Sequence, residues 1–111
     1  LRSALAGRSG KRLAVLVTDT FGRPWREGQV NVAIGVAGMA PLVDHRGLLD
    51  AQGRTLRVSE IAIADEIAGA AELVMGKLDR VPVAVVRGFP FEPAAGGMKP
   101  LLRDPAEDLF R

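Results

Sequence analysis

Apolar residues along this chain come in short runs separated by glycine, proline and charge, rather than in one continuous stretch. Leu13 to Thr18 (LAVLVT) is nearly all apolar and rich in Val and Leu, which suits a strand buried on both faces. Asp19 and Thr20 follow at once, and Gly22 and Pro24 then predict a turn. Val30 to Ala37 (VNVAIGVA) is again apolar and glycine-punctuated, a strand or a buried loop. Pro41 to Gln52 carries turn signals at Asp44, Gly47 and Asp50 and ends at Gly53. Arg54 to Val58 (RTLRV) reads as a short strand with one wet face.

The clearest helix spans Glu60 to Met75, with Ser59 as its N-cap and Gly76 as its stop. Ile61, Ala64, Ala68, Ala71 and Met75 share one face, and Ile63, Ile67, Ala70 and Val74 make a second apolar row beside it. Asp65, Glu66, Gly69 and Glu72 form the polar stripe, so the helix is expected to be buried on most sides. Val81 to Arg87 (VPVAVVR) is a second buried-strand candidate, with Pro82 near its start, where a strand tolerates proline. From Phe89 onward Pro and Gly accumulate, which reads as a loose tail with a helical turn near Pro105 to Phe110. These elements predict an α+β class: a mixed sheet with one long, mostly buried helix.

A length of 111 residues bounds the chain to one domain. Hydrophobic residues make up 48%, enough for a core, yet only 5% are aromatic, so that core is aliphatic. The absence of cysteine excludes disulfides, thiolate zinc sites and a Cys nucleophile, and fits a reducing cytoplasm. Fifteen basic and 13 acidic residues are spread along the chain without the clustered basic and aromatic pattern of a nucleic-acid binder. No apolar run approaches the ~20 residues of a membrane helix. Leu1 is not a start methionine, no signal peptide is visible, and LRSALAGRSGKR looks like the end of a helix from a longer chain.

Thr18 to Gly28 (TDTFGRPWREG) is the first candidate site. Asp19 and the Thr20 hydroxyl, at a strand exit, are hard oxygen donors suited to Mg²⁺ or Mn²⁺ beside phosphates. Arg23 and Arg26 follow, where guanidinium forks can clamp phosphate or carboxylate oxygens. The plain alternative is a turn in which Asp and Thr cap backbone amides. Val74 to Pro82 (VMGKLDRVP) puts Gly76 and Lys77 between helix and strand, but the spacing is not that of a Walker loop. A helix C-terminus also disfavours anions, so a C-cap and linker is the competing reading. Asp65 and Glu72 lie two turns apart on one face and suit either one cleft or a wetted surface. His45, the only histidine, carries no catalytic assignment.

Three blocks in order, TDTFGRPWREGQVNVAIGVAGMAPL, DAQGRTLRVSEIAIADEIAGAAELVMGK and VPVAVVRG, resemble the coenzyme F-420:L-glutamate ligase family over about Leu13 to Gly88. The resemblance implies a GTP- and divalent-cation-dependent ligase that adds L-glutamate by γ-linkage to the deazaflavin coenzyme precursor, through an acyl phosphate. By motif match it implies metal ligation by Asp19 and Thr20, and guanine-nucleotide contacts from Met75, Gly76, Lys77, Leu78, Asp79, Arg80, Val81 and Pro82. The third position of that loop can help hold a metal in relatives. It is Lys77 here, whose ammonium has no lone pair, which leaves only its backbone carbonyl to serve.

The resemblance further implies a homodimer. The family's domain is longer at the N-terminus, where it carries another metal-binding Asp and further GTP contacts. PAEDLF is similar to the junction at which actinobacterial members continue into a nitroreductase-like domain. Residues 1–111 are therefore expected to be the C-terminal portion of a ligase domain, core 13–88 and tail 89–111, inactive alone. The alternative is a catalytically silent scaffold or dimerisation module built on the same fold.

Overall fold

The computed structural model describes residues 1–56 and 60–108. Arg57, Val58 and Ser59, and with them the expected N-cap and the end of the Arg54 to Val58 strand, lie outside the described residues, as does Phe110. A short helix α1 (Arg2–Ser9) opens the chain and is closed by Gly10, whose φ of 67° lets its N–H reach the Ala6 carbonyl.

A long antiparallel hairpin follows, made of β1 (Val15–Arg23) and β2 (Arg26–Met39). Pro24 and Trp25 form its two-residue turn, and Trp25 takes a φ of 57° that only the turn geometry sustains. A bulge between Val17 and Thr18 leaves Ile34 without a partner. β1 is not buried on both faces. Its pairing with β2 is unbroken from Thr18↔Ala33 to Phe21↔Val30, so its side chains alternate: Thr18 and Thr20 are half-buried, while Val17, Asp19 and Phe21 are exposed. The sheet has a single cover, and an apolar run reports only the environment it suits, not how many layers lie over it.

β3 (Val43–Asp44) and β4 (Glu60–Ile61) pair antiparallel, so Glu60 and Ile61 belong to a strand rather than to the helix. Helix α2 (Ile63–Met75) begins with Ala62 at the cap position, and the Ala64 N–H is satisfied by the Pro41 carbonyl. Ala64 and Ala68 are buried against β2, and Ile63 and Ile67 flank them. The rest of α2 is not buried on most sides: Leu73 is 87% and Val74 72% exposed. Residues of both apolar rows, Ala64 of one and Ile63 and Ile67 of the other, pack on the core, and the second row is left open to solvent at Val74.

The expected Val81 to Arg87 strand is absent. The segment pairs with no strand, and Val83 and Val85 stand open to solvent. The expected loose tail is also corrected. β5 (Pro93–Gly96) pairs antiparallel with the end of β2, giving the order β1-β2-β5. Gly96 there has a φ of 91°, and a Cβ would lie 2.5 Å from the Val36 carbonyl oxygen, so glycine alone allows this approach. Phe91 and Leu101 pack on the core of Ala33, Val36, Met39 and Ala64, and Arg12 lies over the Phe91 ring. The helical turn is confined to Pro105–Glu107, capped by the Asp104 carboxylate. The class is α+β as expected, but every strand pairing among the described residues is antiparallel rather than mixed.

Candidate functional site

The cross-strand register Thr18↔Ala33 and Thr20↔Asn31 places Thr18, Thr20 and Asn31 on one face of the hairpin. Asn31 is buried, 6% exposed, and its amide joins the two hydroxyls. Asn31 Nδ2 donates to Thr18 Oγ1 at 3.3 Å, and Thr20 Oγ1 donates to Asn31 Oδ1 at 3.2 Å. Sequence reasoning missed Asn31 and gave Thr18 no role of its own. The available signal was a lone amide inside the apolar run VNVAIGVA, opposite a T-x-T pattern in the preceding strand.

Lys77 completes this row from the other side of the fold. Its Nζ donates to Thr20 Oγ1 at 2.7 Å, across 57 residues of sequence. The Asp-Thr strand and the loop after α2 are therefore in direct contact. Asp19, one residue along β1, projects from the opposite face, with Oδ1 accepting the Thr20 N–H at 2.8 Å. Asp19 and Thr20 thus offer their oxygens to different sides of the sheet.

The loop itself is bent by two positive-φ residues, Gly76 (64°) and Arg80 (56°). Gly76, with ψ of 173°, occupies a region nearly exclusive to glycine, and the Asp79 carboxylate lies where a Cβ would stand. Gly76, Lys77, Arg80, Val81 and Pro82 line a shallow open depression. Met75 ends α2, while Leu78 and Asp79 are exposed on the outer bend.

At the hairpin tip Arg23 and Arg26 are cross-strand partners. Arg23 folds back, donating from Nη2 to the Glu27 carbonyl at 2.6 Å and from Nε to the Gly28 carbonyl at 3.5 Å. Asp65, expected on a wet stripe, instead faces β2 and accepts the Ala33 N–H. His45 lies beside an exposed ion pair of Asp44 and Arg46, in which the Arg46 side chain and backbone N–H hold the Asp44 carboxyl at about 2. Among the described residues no three His, Asp or Glu side chains gather where a metal ion could be held, so Asp19 and Thr20 are at most part of a donor set. No helix among them is long and apolar enough to cross a membrane.

The α+β fold brings the Asp-Thr strand of its sheet into contact with a glycine-bent loop that carries Lys77 and Arg80. Residues 1–88 match the family model described as F420-0:Gamma-glutamyl ligase, and the chain belongs to that family. The Coenzyme F420:L-glutamate ligase of Methanothermobacter thermautotrophicus is 50% identical over 106 residues, 93% of this chain and 42% of that protein. The protein of the same name from Methanocaldococcus jannaschii is 42% identical over 112 residues, covering all of this chain and 45% of that protein. The chain thus spans less than half the length of the curated relatives it matches.

Proposed function

We propose that the protein carrying this chain is a ligase that joins L-glutamate by a γ-linked amide to the deazaflavin coenzyme F-420 precursor, with GTP as phosphoryl donor and Mg²⁺ or Mn²⁺ as cation. The observation that carries the reading is the contact between two blocks far apart in sequence, the Asp-Thr strand and the loop after α2, through Lys77 and Thr20. Family membership gives the substrates their names.

Amide formation from a carboxylate needs a leaving group, because the hydroxide it would otherwise expel leaves poorly at neutral pH. In this reading the γ-phosphoryl group of GTP passes to the precursor's terminal carboxylate, and GDP departs. The glutamate amine then attacks the acyl carbon, phosphate leaves with the bonding pair, and the amine loses its proton to solvent. A divalent cation supplies charge neutralisation on the phosphate oxygens. Asp19, exposed at the strand, would offer it a carboxylate. The loop from Met75 to Pro82 takes the nucleotide, with Lys77 and Arg80 as its cations. Arg23 and Arg26 are the proposed clamp for phosphate or carboxylate, and two of Arg23's donors are already committed to backbone carbonyls. The apolar surface left open at Leu73, Leu78, Val83 and Val85 supports a homodimer.

Incubating the full-length protein with GTP, Mn²⁺, L-glutamate and the precursor, and weighing the product by mass spectrometry, tests the reading. Glutamylated product is expected from wild type and not from Asp19→Ala. Absence of product from well-folded wild type would instead leave a silent scaffold of the same fold.

A further inference from the structure

We propose that Thr20 is a lysine site rather than a metal site: the Lys77 ammonium is the resident cation on the Thr18–Thr20–Asn31 face and holds an anionic oxygen of the nucleotide there. The inference rests on the ligase reading for the identity of that anion, but its geometry does not.

The hydrogen-bond directions along the row leave Thr20 little choice. Asn31 Nδ2 donates to Thr18, so Asn31 Oδ1 is the end that faces Thr20, and a carbonyl oxygen only accepts. Thr20 must therefore give its single proton to Asn31, which turns its oxygen lone pairs outward. Lys77 Nζ occupies one of them at 2.7 Å. A Mg²⁺ or Mn²⁺ ion bonded to the same oxygen would lie roughly 2.1 Å from it, beside an ammonium at contact distance. Two positive centres so close on one neutral hydroxyl exclude each other. Asp19, the neighbouring carboxylate on β1, projects from the opposite face of the strand and does not offset the conflict.

An ammonium in that position still has two N–H donors. It shares its loop with Arg80, and both line the depression with Gly76, Val81 and Pro82. The Thr20–Asn31–Thr18 row fixes one end of the lysine and so reduces the freedom of a long side chain that would otherwise be lost on binding an anion. Lys77 is on this account a binding residue for the nucleotide, positioned by Thr20. The divalent cation is left to Asp19, on the edge strand of the described sheet, around which it would meet the anion that Lys77 holds.

The test is binding to the full-length protein: Mn²⁺ by the electron paramagnetic resonance signal of the free ion, and GTP by calorimetry. Thr20→Val is expected to keep Mn²⁺ affinity within about twofold of wild type, and Lys77→Met to weaken GTP roughly tenfold or more without lowering Mn²⁺ affinity. Lys77→Arg should restore most of the GTP affinity. Lys77→Glu, which puts a carboxylate beside the hydroxyl, is expected to add a Mn²⁺ site that is lost again when combined with Thr20→Val. A loss of Mn²⁺ affinity of about tenfold in Thr20→Val with an unchanged circular dichroism spectrum overturns the proposal, as does wild-type GTP affinity in Lys77→Met. Thr20→Ser, which keeps the hydroxyl in a smaller side chain, serves as the packing control. Failure of wild type to form glutamylated product counts against the ligase reading alone, because every arm here reads binding.

Discussion

The Asp65 carboxylate accepts the backbone N–H of Ala33 at 2.9 Å and ties the first turn of α2 to the middle of β2. β5 pairs with β2 only at Ala37 and Met39, so that edge of β2 is open further back, and Ala33 has no strand on that side to receive its N–H. Ala33 is 2% exposed, which leaves no water to do so either. Asp65 stands in for the missing strand. Asp65→Ala is expected to cost about 1–3 kcal/mol, the penalty of a buried donor left unmade. Asp65→Asn keeps an acceptor oxygen and should cost less. Urea unfolding of the two variants checks the order, and equal stabilities would show that the contact contributes nothing.

That contact also marks where sequence reasoning stopped. Periodicity located α2 to within three residues of its start and placed its end at Met75, because Gly76 breaks a helix wherever it falls. It could not say which side of α2 met the sheet, since Ile63, Ile67, Ala64 and Ala68 suit either. The pattern leaves Asp65 between a cleft and a wetted surface, and the open edge of β2 makes it a backbone acceptor instead. The Leu13 to Thr18 run was legible as a strand, but its single cover was not. Val81 to Arg87 carried the composition of a buried strand, and composition does not name a neighbour. Motif resemblance marked Asp19, Thr20 and the Met75 to Pro82 loop as separate pieces. Their junction through Lys77 spans 57 residues, and no local pattern encodes it.

Gly76 is required by the loop's shape rather than by its flexibility. At φ 64° and ψ 173° any side chain is strained, and a Cβ would sit 2.6 Å from Asp79 Oδ2. Gly76→Ala is expected to cost about 1–3 kcal/mol and to displace Lys77 from Thr20. Gly76→Ala combined with Asp79→Ala removes the clash but not the dihedral strain, so it should recover part of the stability. A thermal melt of both variants separates the two causes, and full recovery in the double variant would assign the whole cost to the carboxylate.

The Asp44 and Arg46 pair gives the protein a pH dependence of known sign. Hydrogen bonds from the Arg46 side chain and backbone N–H lower the Asp44 carboxyl from its ordinary 3.8 to about 2. A carboxyl depressed by folding contributes stability above its unfolded value and loses it as pH falls through its folded one. The contribution of Asp44 is therefore complete above about pH 4 and gone below about pH 2. Both partners are exposed, so the effect on stability is small. An NMR titration of the Asp44 carboxyl should show its midpoint near 2, and Arg46→Gln should return it to the ordinary carboxylate range. A wild-type midpoint near 3.8 would mean that the pair does not persist in solution.

Val83 and Val85 lie 71% and 73% exposed on a segment that pairs with no strand among the described residues. Each valine withdrawn from water is worth about 1.5–3 kcal/mol, and a run of this composition outside any sheet can serve as a strand edge. The relatives that match this chain are more than twice its length, so material to cover the edge exists in proteins of this family. The expectation is that the Val83 and Val85 amides exchange rapidly in the 111-residue chain and far more slowly in the full-length protein. Hydrogen–deuterium exchange read by mass spectrometry on peptides spanning 81–87 measures both. Protection that weakens on dilution would assign the cover to a second copy rather than to the same chain. Equal, rapid exchange in both proteins would mean that the segment stays unpaired and that its valines face solvent in the full-length protein.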